Sequence, residues 1–137
     1  MGDDDAGPVV VSRVYDPPVD DGRTRVLVDR LWPRGLSKQA DAFDEWIPEV
    51  APSSELRRWY GHEPGRFAEF RCRYRIELAK PQRRDAMERL GGLARDTGLV
   101  LLTATRAPVL SHAAVLAELL LDKLGSGTRG GRGEDPP

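Results

Sequence analysis

Cysteine, histidine and excess charge of either sign are all scarce in this 137-residue chain. The single cysteine, Cys72, excludes an internal disulfide and suits a reducing compartment. Two histidines, His62 and His112, stand fifty residues apart with no carboxylate at ligand spacing, which is no metal-site pattern. No cofactor is expected either. Lys and Arg total 21 against 22 Asp and Glu, so the net charge is -1. Near-neutrality removes any global drive towards nucleic acid or membrane and leaves only local patches to bind them. No apolar run approaches the roughly 20 residues that span a bilayer. The start, Met1-Gly2-Asp3-Asp4-Asp5, is acidic where a signal peptide would be basic and then apolar. The expectation is a cytoplasmic protein with no membrane partner.

What is present reads as one folded unit between two tails. Residues 1–8 are acidic and small, and residues 125–137 are rich in Gly and Pro without a large apolar side chain. Neither buries enough surface to offset the entropy of ordering, so both are expected to be disordered around a domain at 9–124. Val9 to Tyr15 reads as a strand closed by Asp16-Pro17-Pro18, and Arg25 to Asp29 as a second. Phe43, Trp46, Ile47 and Val50 have helical spacing interrupted by Pro48, which predicts a short helix and an irregular passage. Pro52-Ser53-Ser54-Glu55 opens a helix to about Tyr60, stopped at Gly61. Pro64 starts another, with Phe67, Phe70, Tyr74 and Leu78 as its apolar stripe and Glu69, Arg73 and Glu77 spaced for ion pairs. Pro81 begins a third helix, in which Met87, Leu90 and Leu93 face inward. Leu99 to Thr103 is an apolar strand buried on both faces, and a last helix runs from Ser111 to about Leu124. Strands separated by helices predict an α/β fold: one compact domain with a small, partly parallel sheet flanked by helices.

The stretch Val26-Leu27-Val28-Asp29-Arg30-Leu31-Trp32-Pro33-Arg34-Gly35-Leu36-Ser37-Lys38 carries the most information. An apolar run ends in an acid, two arginines, an aromatic and a Pro/Gly turn, as when a buried strand delivers polar groups to a loop. Arg30, Arg34 and Lys38 place three positive charges within nine residues, beside Trp32, Gly35 and Ser37. Guanidinium groups bind phosphate or carboxylate bidentately, and glycine lets backbone amides approach an oxyanion. The structural alternative is that Asp29 pairs with one arginine while Trp32 plugs the core. The glycine spacing and the Lys-Ser order are not those of a Walker loop. If strands 25–29 and 99–103 are parallel neighbours, this loop meets Thr103-Ala104-Thr105-Arg106 beyond their carboxyl ends, where such sheets bind ligands.

Asp29 and His112 are the candidate proton carriers, and Arg30, Trp32, Arg34, Gly35, Lys38, Thr105 and Arg106 the candidate ligand-binding residues. For both acid and histidine a purely structural partnership is the competing reading. His62, in a turn between helices, is a second titratable candidate. Cys72 has arginines beside it but no base, and reads as structural. The run from Arg57 to Arg75 holds six arginines with Trp59 and Tyr60 nearby. It can track a nucleic-acid backbone, or it is a solvated helix face with its aromatics in the core.

Taken in order, several strings resemble the YeaO-like family of small bacterial proteins, a domain-of-unknown-function family. They are Arg13-Val14-Tyr15-Asp16-Pro17, Arg25 to Gly35 with its Asp-Arg-Leu-Trp-Pro-Arg-Gly core, Asp44-Glu45-Trp46, and Ala51 to Arg57. Gly61-His62, Phe70-Arg71 with Tyr74, Glu77-Leu78, and Leu101-Leu102 through His112-Ala113 to Val115-Leu116 complete the match. The resemblance implies a compact α/β domain and brings no established activity. This chain departs from the family pattern at Thr103, Ala107 and Ser111, where relatives typically carry Tyr, Asp or Asn, and Asn. If those positions serve catalysis in relatives, this member is altered or inactive. Two functions are expected on these grounds. One is binding of a small anionic or phosphorylated ligand at loop 29–38, with or without catalysis. The other is a non-catalytic module that binds nucleic acid or protein through helices 54–78. No pattern specifies an oligomeric state.

Overall fold

The computed structural model describes residues 7–17 and 21–133, with side chains up to residue 125. The tail expected over 1–8 therefore lies almost wholly outside the described residues. Strands β1 (Val9–Arg13), β2 (Thr24–Leu27), β3 (Glu45–Trp46) and β4 (Leu99–Thr103) form one sheet in the order β1-β4-β2-β3. Each adjacent pair is parallel. Val9 pairs with Leu99 on one side of β4 and Thr24 with Leu99 on the other, so the most apolar strand is central. All five of its residues are buried, as a strand covered on both faces requires.

Alternation of side chains along the strands divides the core in two. Val9, Val26, Val28, Leu99 and Leu101 point to the face that carries all four helices. There they meet α1 (Ser54–Tyr60), α2 (Phe67–Leu78), α3 (Arg84–Asp96) and α4 (His112–Gly133). Leu27, Val100 and Leu102 point the other way, where Val14, Leu36, Ala42 and Phe43 cover them. One face is thus roofed by helices and the other by the connection between β2 and β3.

Local signals place most of the boundaries. The Ser53 hydroxyl accepts from the Leu56 amide at 3.1 Å, capping α1, and Gly61 ends it with φ 53°, a left-handed conformation that costs glycine least. Single 3-10 turns, Pro64–Arg66 and Pro81–Arg83, lead into α2 and α3. The helix expected around Phe43–Val50 is absent; Glu45 and Trp46 form the edge strand β3, and only Pro48–Val50 coils, as a 3-10 turn. Pairing with β2 outweighs a four-residue periodicity that Pro48 cuts short. The backbone of α4 is helical through Gly133, past the stop expected at Gly125. A glycine inside a helix costs only about 1 kcal/mol, and without a left-handed cap it is no terminator. No helix among the described residues is long and apolar enough to cross a membrane.

Candidate functional site

The parallel pairing of β2 with β4 brings their carboxyl ends together, and a pocket of about 370 Å³ opens beyond them. Asp29, two residues past the end of β2, anchors its floor. Its Oδ1 accepts from the Thr103 hydroxyl at 2.7 Å and its Oδ2 from the Ala104 amide at 2.8 Å. The carboxylate therefore ties the two strand ends together rather than pairing with Arg30 or Arg34. His112, the first residue of α4, sets Nε2 3.0 Å from the Val28 carbonyl oxygen and 3.3 Å from Asp29 Oδ1. The imidazole packs edge-on against Tyr74 at 6.0 Å between centroids. Burial holds His112 below the usual histidine range, against the opposing pulls of Asp29 and the Val28 carbonyl; Arg57 pushes the same way as burial.

The opposite wall comes from α1. Arg57, Arg58 and Tyr60 line it, followed by His62, with Arg30 and Leu31 at the rim. Arg30 donates to the Ser54 hydroxyl. Neither the Arg57 nor the Arg58 side chain has a hydrogen-bond or carboxylate partner among the described residues. His62 carries φ 58°, a left-handed conformation rare outside glycine, so the chain reverses through Gly61 and His62 at the pocket. The apolar lining is Tyr60, Phe70, Leu110, Ala51 and Pro52. The Tyr60 hydroxyl is spent on the Leu110 carbonyl at 2.6 Å, and burial pushes its pKa up. Three guanidinium groups and one carboxylate line the cavity, so its potential is positive.

Glu77 holds that wall in place. It accepts from the Ser53 amide at 2.9 Å and the Ser53 hydroxyl at 2.5 Å, and Arg83 lies 3.8 Å away. Arg83 also donates to the carbonyls of Glu49 and Ala51 at 2.8 and 2.6 Å. The residue expected to pair with Arg73 on the surface instead fixes the entry to α1; Arg73 forms its ion pair with Glu69, at 2.8 Å.

Of the residues singled out in the sequence, Asp29, Arg30, Thr105 and His112 line this pocket. Trp32, Arg34, Gly35, Lys38 and Arg106 do not. Trp32 packs edge-on against Phe43 and Trp46 at 5.2 and 5.6 Å, donates to the Leu36 carbonyl, and carries Lys38 over its ring at 5.8 Å. Gly35, at φ 79°, makes the turn closed by the Leu36 amide on the Pro33 carbonyl at 3.2 Å. Arg34 and Arg106 are exposed, and the Arg34 carbonyl accepts from Tyr15. Arg57, Arg58 and His62 join the site from a segment read as a separate surface. Ala51 to Arg57 and Gly61-His62 were among the strings that carry the family resemblance, the one signal that tied them to the strand-end loop. Among the described residues no cluster of three ligating side chains is arranged to hold a metal ion.

Comparison with known proteins agrees with the resemblance. The family model DUF488-N3i, described as the inactive DUF488-N3 subclade, matches residues 8–137. Uncharacterized protein Rv3073c of Mycobacterium tuberculosis is 46% identical over 112 residues, covering 82% of this chain and 92% of that protein. Uncharacterized protein Mb3100c of Mycobacterium bovis matches to the same extent, 46% over 112 residues, again 82% of this chain and 92% of that protein. Uncharacterized protein YeaO of Escherichia coli is 43% identical over 108 residues, 79% of this chain and 92% of that protein. No solved structure matches. The chain belongs to the DUF488-N3i family, the inactive DUF488-N3 subclade, with YeaO among its relatives.

Proposed function

We propose that this protein binds a small anionic or phosphorylated ligand in the pocket beyond β2 and β4, without turning it over. The observation that carries the reading is the convergence of Arg30, Arg57 and Arg58 on one concavity whose single carboxylate, Asp29, is bound to Thr103 and Ala104 and pairs with none of them among the described residues. Exposed arginines need no partner singly, but three around one cavity create a potential that an anion relieves. A volume of about 370 Å³ suits a small molecule rather than a polymer.

The hydrogen bonds argue against chemistry. Asp29 is occupied by Thr103 and Ala104, and the hydroxyls of Tyr60, Thr103 and Ser111 are spent. Ser111 donates to the Pro108 carbonyl at 2.6 Å and accepts from the Ala113 amide. Cys72 is on α2 and is not among the pocket residues. Among the described residues no pocket hydroxyl is hydrogen-bonded to a histidine, the nucleophile–base pairing that covalent catalysis needs. The family description, an inactive subclade, points the same way. The alternative of a nucleic-acid surface on residues 54–78 is the weaker one, because Arg71, Arg73 and Arg75 each pair with a carboxylate.

Thermal-shift titration with inorganic phosphate and phosphate monoesters tests the proposal on wild type and the Arg57→Ala/Arg58→Ala variant. The expected result is a rise in melting temperature for wild type that the variant loses. No shift with any of these anions, or an equal shift in the variant, overturns it.

A further inference from the structure

The two walls of the pocket offer opposite hydrogen-bonding chemistry. Arg30, Arg57 and Arg58 can only donate. The strand end and α4 supply acceptors, Asp29 and His112, beside the hydroxyl of Thr105. A carbonyl only accepts, so His112 Nε2, 3.0 Å from the Val28 oxygen, must carry the ring hydrogen. Burial keeps the ring neutral, which leaves Nδ1 as a bare lone pair. Nδ1 has no partner among the described residues, although the side chain is only 14% exposed and lines the cavity. Asp29, its neighbour, is likewise an acceptor. An anion alone satisfies the arginines and leaves the His112 acceptor facing nothing, since Asp29 already accepts from Thr103 and Ala104.

We infer that the ligand is a phosphorylated polyol or amino alcohol: its phosphate meets Arg30, Arg57 and Arg58, and a hydroxyl or amino group donates to His112 Nδ1. This rests on the anion-binding reading above and narrows it to a ligand class. His112 then acts as a specificity-determining residue. Its Nε2–H is locked on the Val28 carbonyl, and that lock leaves Nδ1, on a side chain that lines the cavity, as the acceptor.

A matched pair of probes separates the two ideas. Glycerol phosphate and propyl phosphate share a carbon skeleton and a charged head and differ only in two hydroxyls. Calorimetric titration at mildly alkaline pH should show wild type binding glycerol phosphate at least about fivefold tighter, roughly what one net hydrogen bond contributes. His112→Gln retains an amide N–H for Val28 and moves its one acceptor, Oε1, away from the Nδ1 position on a flexible side chain, so the ratio should fall towards one. Nitrogen NMR of the wild-type imidazole needs no variant: the Nδ1 signal should be that of an unprotonated nitrogen and should move with glycerol phosphate but not with propyl phosphate. Equal affinities in wild type, an unmoved Nδ1 signal, or a preference that survives in His112→Gln overturns the inference while the anion site stands. If neither ester binds, or Arg57→Ala/Arg58→Ala binds both unchanged, the anion site itself falls and takes this inference with it.

Discussion

On the surface between α2 and α4, Arg71 meets Glu118 at 2.8 Å and Arg75 meets Asp122 at 3.1 Å. Across the sheet edge, Arg25 reaches Asp41 and Asp44 at 3.1 and 2.9 Å, and Arg89 reaches Glu45 at 2.8 Å. The arginines of the pocket differ. Among the described residues the Arg57 and Arg58 side chains meet no acid, and that of Arg30 meets only a serine hydroxyl. Arg25 apart, whose side chain is only 12% exposed, both groups are solvated enough that neither contributes much to folding. The first group is neutralised by the fold and has no charge left for a ligand. The second keeps its charge, and the fold concentrates it around one cavity. Counting arginines along the chain cannot separate these groups; their partners can.

The largest expected effect breaks the floor on which the contrast rests. Asp29→Ala leaves the Thr103 hydroxyl and the Ala104 amide without an acceptor, and should cost about 2–4 kcal/mol in urea denaturation. A loss under about 0.5 kcal/mol would mean that Asp29 does not tie the strand ends. Next, Arg57→Ala/Arg58→Ala should weaken phosphate-ester binding at least about tenfold while stability changes by less than about 0.5 kcal/mol. A matching loss of stability would place these arginines in the structural group.

A smaller effect follows from burial of His112 below its ordinary range. The native ring is neutral, while the unfolded ring takes up a proton below about pH 6.5. The unfolded state then binds more protons, so this contribution is complete above that pH and is lost as pH falls towards the native pKa. Asp29, Arg57 and Tyr74 face the ring, and Asp44 and Glu45 are lowered by their arginines, so they act only in a more acidic window. Denaturation midpoints between pH 7 and 5 should fall for wild type and less steeply for His112→Gln; parallel slopes would show that His112 is not the group responsible. Smallest of all, Arg71→Ala/Arg75→Ala should leave ligand affinity unchanged and shift the melting temperature only slightly, with less effect at high salt. A large loss of phosphate binding in that variant would move the anion site to the α2–α4 surface.

Legibility followed the range of the interactions. Leu99–Thr103 reads as a buried strand because five consecutive residues without polar alternation leave no solvent face. Ser53 and Gly61 bracket α1 because a cap and a left-handed stop are local chemistry. The reading failed at Glu45–Trp46, where a strand forms only because β2 supplies its partner. It failed similarly at Glu77, spaced for Arg73 yet drawn to Ser53 twenty-four residues away. In the site, Asp29 and His112 were legible as residues at element ends. Trp32, Gly35 and Lys38 looked equivalent to Arg30 along the chain, but the turn at Gly35 carries them to the aromatic cluster instead.

The amino-acid sequence by itself determined the α/β class, the central apolar strand, the capped helices and membership of the family, because periodicity, capping and motif strings act over a few residues. Only the tertiary structure decided which arginines remain unpaired. It also brought Arg57, Arg58 and His62 to face Asp29 and His112. Pairing of charges and closure of a pocket depend on contacts between segments tens of residues apart, and those arise only when the sheet and its helices pack.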